Sequence, residues 1–347
     1  MMHLLPKTNI DFLKYRKVYF TLFALVIAFG IWSFATKGMN FGIDFTGGTM
    51  VQVKFEQAVD MEKMRDALSV TGEESAIQTY GDHTYAIREK STTNEVGVVQ
   101  KRIEDALKTL DVPFTVEQTN SVGPAVGNDM TERAAWAILL SLVFIIIYVA
   151  FRFSNILWGV SGVIALFHDL WVMAVVFSIT QREVDLVVVA AFLTVAGFSI
   201  NDTIVIFDRM RENIRLHPKM SLGELINLSI NETLSRTIIT SLTVIAALFV
   251  LFFCGGEVLN SFALAMLVGC ISGVYSTIAL TTPLVFVWQR GQLTDTDKGI
   301  APKAKPAAKL TVEEKREEAA AEGYASGGNA TRAKTVTKIK RTRRTKK

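Results

Sequence analysis

The chain has 347 residues, half of them apolar, and its 37 Lys and Arg against 33 Asp and Glu leave a formal net charge of +4. Apolar residues in such number, gathered into long runs, exclude an ordinary soluble enzyme, because a bilayer core of about 30 Å takes roughly 20 consecutive apolar residues and six stretches approach or pass that length. Unbroken runs also exclude a transmembrane barrel, whose strands alternate apolar and polar residues.

The first run, Val18–Ala35, follows Lys14, Arg16 and Lys17. It is longer than the 7–15 residues of a signal-peptide core and no A-x-A cleavage pattern follows, so an uncleaved first span is predicted. The region Lys37–Met130 then reads as a folded domain. Its pattern predicts strands over Met50–Phe55, Ala76–Tyr80, Thr84–Arg88 and Phe114–Gln118, with helices over Met61–Val70 and Glu95–Leu110. Val51, Val53 and Phe55 alternate with Met50, Gln52 and Lys54, as in a strand with one buried face. Val99, Ile103, Ala106, Leu107 and Leu110 fall on one helical stripe. The order β-α-β-β-α-β matches a ferredoxin-like split unit. Cys254 and Cys270 lie elsewhere, so this domain is expected to fold without disulfides.

Five further spans are predicted over Ala134–Phe151, Ile156–Ile179, Leu186–Phe207, Ile238–Cys254 and Phe262–Val287. Basic residues in short connections set orientation. Lys7, Lys14, Arg16 and Lys17 precede the first span, Arg152 follows the second, and Arg209, Arg211, Arg215 and Lys219 follow the fourth. The loop Gly255–Asn260 has no basic residue and Thr180–Asp185 has only Arg182. Both termini are therefore expected in the cytoplasm. The expected fold is an α-helical polytopic membrane protein of six spans with a small α+β, ferredoxin-like periplasmic domain between the first and second. The corresponding division is a cytoplasmic N-terminus 1–17, a first span 18–36, the periplasmic domain 37–131, a five-helix bundle 132–290 and a disordered basic cytoplasmic tail 291–347.

Leu222–Leu234 is partly amphipathic and reads as a segment that either lies along the membrane surface or packs against helix ends. Beyond Trp288 the composition turns to Lys, Ala, Thr and Gly and ends in the basic run Lys338–Lys347. Such a tail lacks the apolar content to fold alone. It reads as a solvated positive-inside tail, with contact to anionic lipid or ribosomal RNA as the sharper alternative.

Ionisable residues inside a bilayer cost about 2.5–3.5 kcal/mol each on insertion scales. The fourth span contains Asn201 and Asp202, with Asp202 about five residues from its cytoplasmic end, roughly 8 Å deep. Aspartate is too short to snorkel to the interface, so it must face protein or water, either as an interhelical hydrogen-bond partner or as an ion-coupling group. Arg236 opens the fifth span at a depth that lets it reach inward to Asp202, or serves only as a positive-inside anchor. His168 and Asp169 sit near the middle of the third span. Neighbours on a helix point about 100° apart, which predicts that they do not share one partner; a proton relay and a structural hydrogen bond both fit. Gly269, Gly273 and Ser276 permit close helix approach, and Ser272, Thr277 and Thr281 add polar groups at depth, for packing first and water access second. No His-Glu-x-x-His, Walker loop or cysteine cluster occurs. Neither an enzyme nor a cofactor is expected, and work would come from an ion gradient or a partner.

Gly42-Ile43-Asp44-Phe45-Thr46-Gly47-Gly48-Thr49 resembles the motif that follows the first span in the SecD/SecF protein-export family. Gly197–Asn213 resembles that family's fourth-span motif, Ser235–Ile238 its fifth-span start and Phe253–Leu259 the ensuing Gly-Gly-Glu turn. The resemblance covers about residues 15–290, and the short exported domain is similar to the SecF branch. It implies a subunit of the resistance-nodulation-division type that pairs with SecD, works beside the SecYEG channel and YajC in the membrane lipid, and acts on preprotein, with no DNA partner. It also implies ion passage at Asp202 and Arg236, with H+ or Na+ as the transported ion. On this reading Asp44, Phe45, Gly47 and Gly48 belong to a family motif, and Gly38, Gly42, Gly47, Gly48, Gly123, Pro124 and Gly127 are hinge positions through which helix repacking moves the domain. Two competing readings are a half-size efflux or lipid transporter of the same superfamily and a scaffold with no ion role.

Overall fold

The computed structural model describes residues 8–69, 75–80, 83–89, 96–153, 155–291 and 293. The basic tail and its lipid or RNA contacts lie outside the described residues. Among the described residues, six helices are long and apolar enough to cross a membrane: Leu13–Lys37, Pro124–Arg152, Ile156–Thr180, Leu186–Leu216, Leu222–Cys254 and Leu259–Trp288. They contain all six predicted runs, and the protein is a multi-pass membrane protein.

In chain order, α1 (Arg16–Lys37) is followed by the short α2 (Ile43–Thr46), then β1 (Gly48–Phe55), α3 (Met61–Ser69), β2 (Ser75–Tyr80), β3 (Thr84–Glu89), α4 (Val96–Leu107) and β4 (Phe114–Val122). Each predicted strand and helix of the domain is present within a few residues of its expected bounds. The four strands make one antiparallel sheet in the order β2-β3-β1-β4. Val51 pairs with Ile87 and Val53 with Tyr85. This register turns one apolar set toward the helices, where Val51, Val53, Phe55, Ile87, Met64, Leu68, Val99, Ile103 and Leu107 form the domain core. Full burial of each such side chain is worth about 1.5–3 kcal/mol, which lets so small a unit hold its shape. Gln52, Lys54 and Arg88 are left for the opposite face.

The remaining helices are α5 (Pro124–Arg152), α6 (Ile156–Thr180), α7 (Leu186–Leu216), α8 (Leu222–Cys254) and α9 (Gly256–Ser276). A π-helical turn, Thr277–Thr281, joins α9 to α10 (Thr282–Trp288). Half of the apolar window of α6 and two thirds of that of the sixth span are buried, against about a tenth for α1 and α5. The polar interior is therefore built by α6, α7 and the sixth span, while α1, α5 and α8 turn wide apolar faces outward.

Leu222–Leu234 does not lie flat along a surface. It is the first third of α8, started by a capping box in which Ser221 and Glu224 satisfy each other's backbone amides. Nothing in Ser235-Arg236-Thr237 stops the helix, so it runs on into the fifth span. Leu222, Leu225, Ile226 and Ile230 pack against Met210 and Ile214 of α7. Asn213 donates to Ser229 Oγ at 3.0 Å and Glu232 Oε2 at 2.8 Å. At 31 and 33 residues, α7 and α8 run about 46–50 Å, so the pair projects beyond a 30 Å core on the side of the N-terminus.

Candidate ion-coupling site in the helix bundle

Ser199, Asp202 and Thr203 lie three and four residues apart on α7 and share one face, which is turned into the bundle: all three are buried. Asp202 is 4% exposed, and its Oδ2 has no hydrogen-bond partner among the described residues. Buried polar atoms are nearly always paired, so this orphaned oxygen marks a place where the chain itself leaves a carboxylate unsatisfied. The charge acting on it is Arg236 of α8. The two remain beyond ion-pair distance and Arg236 is exposed, so the direct pair that their depths allow is not made in this conformation. Asn201 is exposed on the outer face of α7 and is not brought to the site.

Beside Arg236, Thr237 and Ser241 are buried on α8, and their hydroxyls also lack hydrogen-bond partners among the described residues. Sequence reasoning missed these two. The signal was there: two small hydroxyl residues four apart, next to the arginine, form an inward polar stripe.

His168 and Asp169 are both buried, and His168 Nδ1 lies 3.2 Å from Asp169 Oδ1. Beyond that mutual contact they face different partners, as their 100° separation on the helix predicts. The His168 ring packs between Phe23 and Tyr275, at 5.5 and 5.9 Å. Asp169 accepts hydrogen bonds from Ser199 Oγ at 2.5 Å, Ser272 Oγ at 2.6 Å and Ser276 Oγ at 2.8 Å. Thr203 and Thr277 touch through their hydroxyls at 3.3 Å. Ser272 and Ser276 of the sixth span are thus partners of a carboxylate, a role beyond packing, whereas Thr281 Oγ1 donates to the Ser276 carbonyl at 3.3 Å. The glycines bring them there, since a Cβ on Gly273 would stand 3.3 Å from Ser199 Cβ, and one on Gly269 only 2.4 Å from Val195 Cγ2.

At the other end of α7, the glycine-rich segment after α1 runs beside the loop between α6 and α7. Val184 donates to Asn40 O at 2.8 Å and Gly42 to Val184 O at 2.9 Å. Asp44 Oδ2 accepts from the Leu186 amide at 3.1 Å, while Asp185 Oδ1 accepts from Val188 at 2.7 Å. Two carboxylates therefore cap the start of the helix that carries Asp202, where the helix dipole favours negative charge. Burial first, then the neighbouring Asp44 and Glu183 carboxylates, hold the Asp185 carboxyl above its ordinary value, against the pull of the Val188 amide. Phe45 packs edge-on against Phe41, and its carbonyl accepts from Thr131 at 3.3 Å. Gly47 and Gly48 have φ of 68° and 125°. A Cβ on Gly47 would lie 3.0 Å from Pro124 Cα and one on Gly127 2.9 Å from Gly47 N. The two linkers are interlocked here and form one joint.

The family model for protein export membrane protein SecD/SecF, C-terminal, matches residues 102–291, and that for the SecD/SecF GG motif matches residues 32–59. The chain is 37% identical over 291 residues to the protein translocase subunit SecF of Endomicrobium trichonymphae, covering 83% of this chain and 94% of that one. With SecF of Pseudomonas aeruginosa it shares 39% identity over 315 residues, covering 88% and 98%. The crystal structure of SecDF, a translocon-associated membrane protein from Thermus thermophilus, matches with a TM-score of 0.75 at 35% identity. That match covers 84% of this chain, which spans about 40% of the length of the SecDF chain. Relatives named as translocase subunits do not favour an efflux or lipid transporter. The chain belongs to the SecD/SecF family of protein-export membrane proteins, among its SecF members.

Proposed function

We propose that this translocase subunit pairs with SecD and uses an ion gradient to promote preprotein translocation beside the SecYEG channel and YajC. In this reading the membrane is the bacterial inner membrane, both termini are cytoplasmic, and the α+β domain is a ferredoxin-like unit in the periplasm. The division into an N-terminus, first span, domain, five-helix bundle and tail follows the same lines. The protein acts as an accessory subunit without an enzymatic reaction of its own, and H+ or Na+ is the transported ion.

The observation that carries the proposal is Asp202, buried on the inward face of α7 with one oxygen unpartnered and the Arg236 charge nearby. With the carboxylate charged, Arg236 is drawn toward it and one arrangement of α7 and α8 is favoured. Neutralising the carboxylate by a proton or cation removes that attraction. The helices then repack, and α7 carries the change to the joint at Asp44, Gly47 and Gly127. One charge crossing about 200 mV releases about 4.6 kcal/mol, enough to bias a two-state equilibrium roughly a thousandfold.

Inverted membrane vesicles with this chain, SecD and the channel test the proposal under proton and sodium gradients imposed separately. One gradient is expected to accelerate completion of export after ATP is exhausted. Export indifferent to both gradients would refute ion coupling.

A further inference from the structure

Asp169 is not a second copy of Asp202. Its side chain is wholly buried near the middle of α6, and oxygens from three spans converge on it: its own two, Ser199 Oγ from α7, and Ser272 Oγ and Ser276 Oγ from α9. Among the described residues no Lys or Arg pairs with it, and the one nitrogen in contact is His168 Nδ1 at 3.2 Å. An all-oxygen set built on one carboxylate suits a hard cation, and a single negative charge matches a single positive one. Hydroxyls fit both states, because each has a proton to give the carboxylate and lone pairs to turn toward a cation.

The backbone beside the cluster points the same way. The π-helical turn Thr277–Thr281 begins one residue after Ser276; such turns cluster at functional sites, and disturbed helical carbonyls are what sodium sites in transporters use. Ser276 Oγ already has a second acceptor, Gly273 O at 3.2 Å, and Ser276 O receives Thr281 Oγ1 at 3.3 Å. The Ser276 hydroxyl can therefore release the carboxylate without losing every partner. One helical turn along α7 from Ser199, at the level of Asp202, the hydroxyls of Thr203 and Thr277 touch.

We propose that Asp169, Ser199, Ser272 and Ser276 form a binding site for a dehydrated sodium-sized monovalent cation, separate from Asp202, that ties α6, α7 and α9 together when filled. Only the consequence of filling, a bias on the transport cycle, rests on the ion-coupled reading above; binding itself does not.

The test is saturable retention of radioactive sodium by the purified full chain in lipid nanodiscs, with choline as the balancing cation. Asp202→Asn is expected to keep one saturable sodium site with the wild-type half-saturating concentration. Ser272→Ala and Ser276→Ala, which keep Asp169 and remove one hydroxyl each, are expected to raise the half-saturating concentration roughly 10–100-fold, and Asp169→Asn to abolish binding. Loss of binding in Asp202→Asn with retention in the serine variants would place the ion at Asp202 and overturn this site while leaving the coupling proposal standing. No saturable sodium binding in the wild type would also overturn it. An Asp202→Asn protein that binds sodium normally yet still exports under the gradient would refute coupling at Asp202 and leave the Asp169 site intact.

Discussion

Three carboxylates of α6 and α7 illustrate how surroundings assign different work to one side chain. Asp169 receives three hydroxyl donors, Asp202 keeps an oxygen unpartnered, and Asp185 caps a helix amid other carboxylates. Composition alone could not separate them, since each is an aspartate in or at an apolar run; only the side chains brought by other spans distinguish them. Asp185 supports a pH prediction. Its carboxyl is raised from 3.8, chiefly by burial and then by Asp44 and Glu183. A raised folded-state value means the folded protein holds the proton more tightly than the unfolded chain. The contribution to stability is present below 3.8 and is lost as pH rises through the raised value. Asp185→Asn keeps an amide oxygen for the Val188 cap and removes the charge. Relative to wild type, its thermal midpoint is expected to improve as pH rises from about 4 toward neutrality, with the gain absent at low pH. A difference constant across that range would contradict the assignment.

At the scale of elements, periodicity was highly legible. The six apolar runs and the domain's alternating strands are set by local pattern, and the structure places them where the pattern does. What pattern could not show was continuity. The join between Leu234 and Ile238 contains polar residues that resemble a break, yet Ser, Arg and Thr are all tolerated within a helix, and tertiary packing on α7 carries α8 through it. The joint at Gly47 was legible as glycine but not as an interlock, because Pro124 and Gly127 approach only once the sheet has formed. Gly47→Ala places a side chain at φ 68° against the Pro124 backbone and is expected to cost about 1–3 kcal/mol, read as a lowered thermal midpoint. Gly97→Ala in α4, where a Cβ meets nothing within 4 Å, is the contrast and is expected to be neutral or stabilising by up to about 1 kcal/mol. Equal effects of the two would contradict the interlock.

For the molecule as a whole, the question is how a change among α6, α7 and α8 reaches the sheet. A cavity of about 920 Å³ lies beside Arg88 between the domain and the bundle, so the sheet is not held there by continuous apolar packing. Arg88 of β3 crosses that space. It pairs with Glu183 at 2.8 Å and donates to Phe41 O and Asn40 Oδ1, each at 3.0 Å, with both charged side chains 11% exposed. This link joins the domain to the loop that starts α7, and no local pattern announces it, because Arg88 and Glu183 stand 95 positions apart. Arg88→Gln is expected to leave insertion and SecD association unchanged while lowering gradient-driven export about tenfold or more, since breaking one side of a largely buried pair is strongly unfavourable. The exchange Arg88→Glu with Glu183→Arg is expected to restore part of it. Normal export by Arg88→Gln would remove this link from the coupling route.

Ion coupling as proposed requires the charge of Asp202 to change during each cycle. It is tested most directly by comparing Asp202→Asn with wild type in vesicles, at matched amounts of inserted protein and retained SecD, after ATP-driven export has stopped. The variant is expected to show no acceleration when the gradient is applied, whereas wild type does. Equal gradient-driven completion by both proteins would contradict the claim.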